Sequence, residues 1–128
     1  MIDSFVMNDR QWRVKFVSSS DDRLVDRTGN LTVATTDPET NTVYLSRNLR
    51  GAMLTRVFLH ELGHCVMVSY GLLEDIHKAV APEYRVYMEE WVCNFIADYG
   101  LGIFRIAYKV LGDKAWEYIP GELTKLIA

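Results

Sequence analysis

The chain has 128 residues, of which 49% are hydrophobic and 12% aromatic, with a formal net charge of −3 and a pI near 5.6. This length supports one globular domain with a real core, so we expect a single domain over residues 1–128. The acidic balance argues against direct binding of nucleic acid, because a protein that binds the phosphate backbone needs a basic face.

The N-terminal residues do not have the pattern of a targeting segment. Asp3 stands where a signal peptide carries positive charge, and no apolar run of useful length follows. No window approaches the ~20 apolar residues of a membrane span. We therefore expect a cytoplasmic protein with no membrane partner, in which Cys65 and Cys93 are reduced core thiols.

The first half of the chain has the pattern of a small sheet. Residues 11–17 alternate large apolar with polar side chains, which is the period of a half-buried strand. Residues 22–27 follow as a short helical turn. Residues 31–36 and 42–46 are rich in β-branched side chains and flank a turn with Asp, Pro and Asn, which predicts a hairpin. We expect an N-terminal three-stranded antiparallel sheet.

The second half predicts helices. The first runs over residues 49–69, with Ser46 or Asn48 as its cap and Gly71 as its stop, and residues 72–81 form a connection. A second helix begins at Pro82 and ends at Gly100. A third covers residues 101–111, and one or two short closing helices contain Trp116, Ile119, Leu123, Leu126 and Ile127. The second helix also carries an aromatic stripe at helical spacing, which we interpret as core: Tyr84, Met88, Trp91, Phe95 and Tyr99.

The first helix contains the sequence His60-Glu61-Leu62-Gly63-His64. This H-E-x-x-H spacing puts His60 and His64 one turn apart on one face, where both rings can bind one Zn²⁺. Glu61 lies beside that face, so its carboxylate can act as a general base without being a ligand. The alternative is a core helix whose histidines only hydrogen-bond to neighbours, although burying these groups together without a metal or full pairing is costly.

A catalytic zinc site usually takes three protein ligands, so a third must come from elsewhere. We choose Glu90, because its helix face also carries the compact residues Cys93, Asn94 and Ala97 and can approach the first helix closely. Asn94, one turn later, then falls where its amide oxygen can orient a histidine ring. Glu89 stays open as an alternative ligand, although it can pair with Arg85, and Asp98 is a third option.

An exposed strand edge beside the metal helix would let an extended peptide add to the sheet. The nearest segment in sequence is Val43-Tyr44-Leu45, which we take as the candidate substrate-binding strand. A plain structural hairpin with a covered edge is the alternative. For stabilising an oxyanion, the candidates are His77, Tyr84 and Tyr87, with an exposed loop position as the alternative for His77.

With these residues in view, the sequence resembles compact zincins of the gluzincin type. More narrowly, it is similar to the ImmA/IrrE family of bacterial and mobile-element metallopeptidases. The match rests on His60 to His64, on the preceding Val43-Tyr44-Leu45-Ser46, and on Glu90 with Asn94 and Ala97, within roughly residues 31–99. The second helix departs from the family in having Val92-Cys93-Asn94 where Glu-Ala-Asn or Glu-Ala-Asp is frequent.

The resemblance implies a small zincin-like domain of the α+β class, with the sheet packed on the active-site helix and a second ligand-bearing helix. It also implies cleavage of a cytosolic protein, such as a transcriptional repressor, by water activated at Zn²⁺, and regulation through a protein partner. Two other functions stay open. One is a zinc-binding interaction module whose site is closed by Cys65 or Cys93. The other is a catalytically silent phage or toxin-type protein that blocks a host factor by binding.

Overall fold

The computed structural model describes residues 3–118, which form an α+β fold with a four-stranded mixed sheet and three α-helices. The strands are β1 (Ser4–Met7), β2 (Arg10–Val17), β3 (Ala34–Asp37) and β4 (Thr42–Ser46), and the helices are α1 (Gly51–Ser69), α2 (Leu73–Ala79) and α3 (Arg85–Leu111). By internal contacts the chain separates into two compact units, Met1–Asp98 and Tyr99–Ala128. The single domain stays a prediction.

The sheet differs from the three-stranded antiparallel sheet that the sequence predicted, which is not confirmed. Its order is β1-β2-β4-β3, and β2 pairs with β4 in parallel, whereas β1–β2 and β3–β4 are antiparallel. The additional strand β1 pairs with β2 across Asn8-Asp9, and both of these residues have left-handed φ angles of 49° and 62°. Asn and Asp tolerate this conformation, which suits a two-residue hairpin turn. The parallel pair arises because β4 inserts between β2 and β3.

The core lies between one face of the sheet and α1. Trp12, Val43 and Leu45 from the strands meet Val57 and Cys65 from the helix. The indole N–H of Trp12 also donates to the hydroxyl of Ser69 at 2.9 Å, which satisfies the one polar atom of a fully buried ring. This packing fixes α1 against the sheet and thereby sets the position of His60 and His64.

The helices differ from prediction at their ends. α1 begins at Gly51, two residues later than expected, and its cap Arg50 makes no side-chain capping bond. Ser46 instead accepts from the N–H of Asn48 at 3.2 Å in the preceding turn. Residues 73–79, predicted as part of a connection, form α2. Pro82–Tyr84 is a short 3-10 helix before α3.

The predicted stop at Gly100 is wrong, because α3 continues to Leu111 as one helix. A glycine lowers helix stability by only about 1 kcal/mol, so it does not by itself end a long helix. A 3-10 helix, Gly112–Trp116, follows. The remaining residues of the predicted closing helices, from Ile119 onwards, lie outside the described part of the chain.

The predicted aromatic stripe, which begins at Tyr84 just before α3 and continues along that helix, is not core, and that prediction is wrong. Tyr84, Trp91, Phe95 and Tyr99 are all exposed, and Met88 is half-buried. The buried residues of α3 are instead the small Cys93 and Ala97. Hydrophobic periodicity predicted that this segment is helical but did not predict which of its faces is buried. Among residues 3–118, none of the helices combines the length and apolar character needed to cross a bilayer.

Candidate metal centre

His60 and His64 project from the middle of α1 into a shared site. Their Nε2 atoms lie 3.2 Å apart, and both side chains are largely buried. This proximity follows from the 3.6-residue period of the helix, which stacks positions i and i+4 on one face.

Glu90 enters the same site from α3. Its Oε2 lies 3.0 Å from Nε2 of His60, and its Oε1 lies 3.2 Å from Nε2 of His64. One donor atom from each of these three residues lies within 4.8 Å of the others. Hydrogen bonds with His60 and His64 hold the pKa of Glu90 well below its ordinary value, although burial acts in the opposite direction.

Asn94 approaches His60 from the other side of the ring. Its Oδ1 lies 2.8 Å from Nδ1 of His60 and also accepts from a guanidinium nitrogen of Arg56 at 3.1 Å. An amide oxygen can only accept, so it favours a proton on Nδ1 and leaves the lone pair of Nε2 directed into the site.

Glu89 has the corresponding position behind His64. Its Oε1 lies 2.8 Å from Nδ1 of His64, so Glu89 contacts the outer nitrogen of the ring, whereas Glu90 contacts the inner one. Burial acts to raise the pKa of Glu89, but hydrogen bonds with His64 and Arg27 outweigh it and lower the pKa. Glu89 pairs with Arg27 at 3.1 Å, and not with Arg85, which the sequence offered as an alternative partner.

The role of Glu89 at the back of His64 was missed from the sequence. The available signal was its position: the residue before Glu90 on the same helix is rotated by about 100°. That rotation keeps it near the site while directing it to a different atom. The sequence pattern alone indicates Glu89 only as an alternative ligand or as a partner of Arg85.

The donor set fits Zn²⁺. With a proton on each Nδ1, the two Nε2 lone pairs and the oxygens of Glu90 face one another, and such groups converge favourably only around a cation. Zn²⁺ takes imidazole nitrogen and carboxylate oxygen, and three protein ligands leave a position open. Without a metal, a proton on His64 can serve as the positive charge between these groups. Burial acts to lower the pKa of His64, but hydrogen bonds with Cys93, Glu89 and Glu90 outweigh burial and raise that pKa.

Glu61 lies beside the three donors and is almost fully buried, with 6% of its surface exposed. Its Oε2 is 3.9 Å from Nε2 of His60, too far for a hydrogen bond, and its Oε1 accepts from the hydroxyl of Thr36 at 2.8 Å. Burial raises the pKa of Glu61 above its ordinary value, and His64 and Thr36 offset only part of that rise. Glu61 therefore faces the site without belonging to the donor set.

A cleft of about 740 Å³ opens over these residues between β3, α1 and the start of α3. Its polar wall contains His60, Glu61, His64 and Glu90, and apolar side chains extend along it: Val33, Val57, Val68, Leu73 and Val86. β3 forms one side of the cleft and is an edge strand of the sheet.

The predicted substrate strand Val43-Tyr44-Leu45 is wrong. These residues belong to β4, which is paired on both sides, by β2 and by β3, and their side chains are buried. Both faces of β4 are covered, because Val43 and Leu45 face α1 while Tyr44 packs with Val17 and Leu24. A strand in this position cannot pair with a peptide.

The other predicted candidates do not reach the cleft. His77, Tyr84 and Tyr87 are exposed, and none is among the described residues that line it. Asp98 pairs with Arg56 at 2.9 Å instead of approaching the histidines.

Cys65 and Cys93 are free thiols with no exposed surface. Neither belongs to the donor cluster found among the described residues. Burial raises the pKa of Cys65 to about 12 and that of Cys93 in the same direction. Both are therefore in the thiol form that buried cysteines normally keep.

No family model matches this sequence, and no curated protein matches it. The resemblance to ImmA/IrrE peptidases stays a prediction.

Proposed function

We propose that the protein is a zinc-dependent metallopeptidase. The observation that carries the proposal is the convergence of His60, His64 and Glu90, whose donor atoms lie within 4.8 Å of one another, beside the separate carboxylate of Glu61. A zinc ion held by three protein ligands supplies a Lewis acid, which polarises a carbonyl and lowers the pKa of water from ~15.7 towards ~7.

Each residue has a distinct task in this proposal. His60, His64 and Glu90 hold the ion, while Asn94 and Glu89 fix the two rings through their outer nitrogens. Glu61 accepts a proton on Oε2 from the attacking water and returns it to the leaving amine. Its raised pKa suits both steps, because a carboxylate that is too acidic gives up the proton readily but accepts it poorly.

The proposed substrate is a protein segment in an extended conformation. The N–H of Ser46 donates to the carbonyl of Val33 at 2.8 Å, so in this antiparallel pair Ala34 and Thr36 direct their backbone groups to the outer edge of β3. An extended chain can pair with that edge and cross the cleft in front of Glu61. The resemblance makes cytosolic transcriptional repressors the first candidates and a protein partner the first candidate regulator.

The ligand set favours this function over a zinc module that only binds a partner. A structural zinc site is usually closed by four ligands, often with cysteine, whereas the described donors here number three and include no cysteine. The intact general base has no use in a structural site.

The test combines a metal measurement with a cleavage measurement. Purified protein should hold one zinc ion, and His60→Ala should lose it. Glu61→Gln should hold zinc as well as the natural protein does, because Glu61 is outside the donor set. Cells expressing either form are then compared for new protein N-termini.

We expect N-termini that appear with the natural protein and are absent with Glu61→Gln. A purified target should be cut at the same bond only by the natural protein. Equal cleavage by Glu61→Gln would remove Glu61 from the reaction, and an effect on cells that survives this substitution would favour the binding functions.

A further inference from the structure

Arg27 reaches the metal centre from a short connection that precedes β3. One guanidinium nitrogen lies 3.1 Å from Oε2 of Glu89, and the other terminal nitrogen lies 3.1 Å from Oε1 of Glu90. A single side chain thus bridges two carboxylates on neighbouring residues of α3. Such forked, charge-assisted contacts fix geometry better than a single ammonium contact does.

The backbone that carries Arg27 is held in a closed turn. Oδ1 of Asp26 accepts from the N–H of Thr28 at 2.9 Å and from the N–H of Asn30 at 3.0 Å. The N–H of Asp26 donates back to the carbonyl of Asn30 at 2.8 Å, and Gly29 has the left-handed φ of 85° that closes the turn. Arg27 therefore starts from a fixed backbone position.

Arg27 and the two histidines share the four carboxylate oxygens of Glu89 and Glu90. In Glu89, Oε2 binds Arg27 while Oε1 contacts His64. In Glu90, Oε1 binds Arg27 and also lies 3.2 Å from Nε2 of His64, while Oε2 lies 3.0 Å from Nε2 of His60. Arg27 thus fixes the rotation of both carboxylates without contacting either ring.

We propose that Arg27 is a positioning residue for the metal, which holds Glu90 ready as a ligand and Glu89 against His64. The inference rests on the proposed function, because it requires that the site binds zinc. Glu90 needs such support, since 40% of its side chain is exposed and an unrestrained side chain would spend time in solvent. Its contacts with the histidine nitrogens are those that a metal would replace, whereas the contact with Arg27 can persist.

Charge supports the same role. Glu61, Glu89 and Glu90 carry three negative charges when ionised, and a divalent ion together with Arg27 balances them. Without Arg27, the adjacent carboxylates of Glu89 and Glu90 would repel each other and separate. Two alternatives make different predictions: an exposed ion pair contributes little, and a cation near the site could instead weaken zinc binding by repulsion.

The experiment measures zinc affinity by competition with a colorimetric chelator, so that it needs no substrate. Arg27→Gln should bind zinc tenfold to hundredfold more weakly, which is the usual effect of losing a partner of a metal ligand. The zinc affinity of Arg27→Lys should lie between those of the natural protein and Arg27→Gln, because one ammonium group cannot make forked contacts with both carboxylates. Arg23→Gln is the matched control: Arg23 pairs with Asp21 outside the cleft, and its loss should leave zinc affinity unchanged.

A double variant checks the route of the effect. If Arg27 acts partly through Glu89, then Arg27→Gln combined with Glu89→Gln should lose less affinity than the two single losses together predict. Thermal unfolding of the metal-free variants establishes that each is folded.

The outcomes separate this inference from the proposed function. If the natural protein does not bind zinc, both the proposed function and the proposed role of Arg27 are wrong. If it binds zinc and Arg27→Gln binds equally well, Arg27 is only an exposed ion pair and this inference alone falls. Tighter binding by Arg27→Gln would also overturn it, since repulsion would then outweigh positioning.

Discussion

The hydroxyl of Thr36 donates a hydrogen bond to Oε1 of Glu61 at 2.8 Å, which joins the edge strand β3 to the carboxylate beside the candidate metal centre. The strand that lines the cleft thus also holds the proposed general base. Because Oε1 is occupied, Oε2 is the oxygen that faces His60.

We expect Thr36→Val to destabilise the protein. Valine has nearly the same shape but cannot donate, so a buried oxygen of Glu61 loses its partner, which costs ~1–3 kcal/mol in the free energy of unfolding. Urea denaturation measures this change. Thr36→Ser keeps the hydroxyl and should lose much less, and equal stabilities of the Val and Ser variants would contradict the role of the bond.

A second prediction separates Glu90 from Glu89. Removing the charge of the proposed ligand in Glu90→Gln should weaken zinc binding more than Glu89→Gln, because Glu89 contacts only the outer nitrogen of His64. For Glu89→Gln the expected loss is tenfold to hundredfold. Competition with a chelator measures both variants, and a larger loss in Glu89→Gln would reverse the assignment.

Asn94 carries a third prediction. Its amide oxygen orients His60 at 2.8 Å, so Asn94→Ala should leave the ring free to rotate and weaken zinc binding tenfold to hundredfold. Asn94→Asp keeps an oxygen acceptor at the same position and should retain most of the affinity. Zinc binding that is equally strong in the Ala variant would remove Asn94 from the support of His60.

Local sequence patterns predicted the part of the site that a single helix contains. His60 and His64 lie together because the helical period places them so, whatever the rest of the chain does. The same period brought Glu90 and Asn94 to one face of α3, and the small Cys93 allows that face to approach α1.

What the sequence did not predict depends on contacts between distant segments. Arg27 meets Glu89 across 62 positions of the chain, and no local pattern indicates that meeting. Nearness in sequence to α1 predicts β4 as the edge strand, but β4 is an interior strand of the sheet. β4 is interior because it pairs with β2 as well as with β3. The pairing of β4 with β2 is parallel, and the expected antiparallel sheet did not include a parallel pair.

The aromatic residues of α3 illustrate a different limit. Trp91 and Phe95 stack at 5.7 Å on an exposed face, whereas the small Cys93 and Ala97 are buried. Hydrophobicity alone ranks the large side chains as core. Close approach of two helices at a site favours the small ones.

A last prediction concerns that close approach. A Cβ added at Gly63 would lie 2.9 Å from Sγ of Cys93 and 3.2 Å from its Cα. The first distance is shorter than carbon and sulfur tolerate, and the second involves backbone, so α1 and α3 would have to separate. Gly63→Ala should therefore lower the free energy of unfolding by ~1–3 kcal/mol through this clash. The higher helix propensity of alanine offsets up to ~1 kcal/mol of that loss. Gly63→Ala should also weaken zinc binding, because His64 and Glu90 lie on the two helices that separate.

Gly102 in α3 provides the matched control. Apart from the backbone of its own helix, no heavy atom of the described residues lies within 4 Å of a Cβ added there, so Gly102→Ala should stabilise the protein by up to ~1 kcal/mol through helix propensity. Adding Cys93→Ala to Gly63→Ala removes the contact with sulfur but not that with Cα, so stability should recover only in part. A Gly63→Ala protein as stable as Gly102→Ala, measured in urea, would mean that the two helices do not need this glycine to bring Glu90 to the histidines.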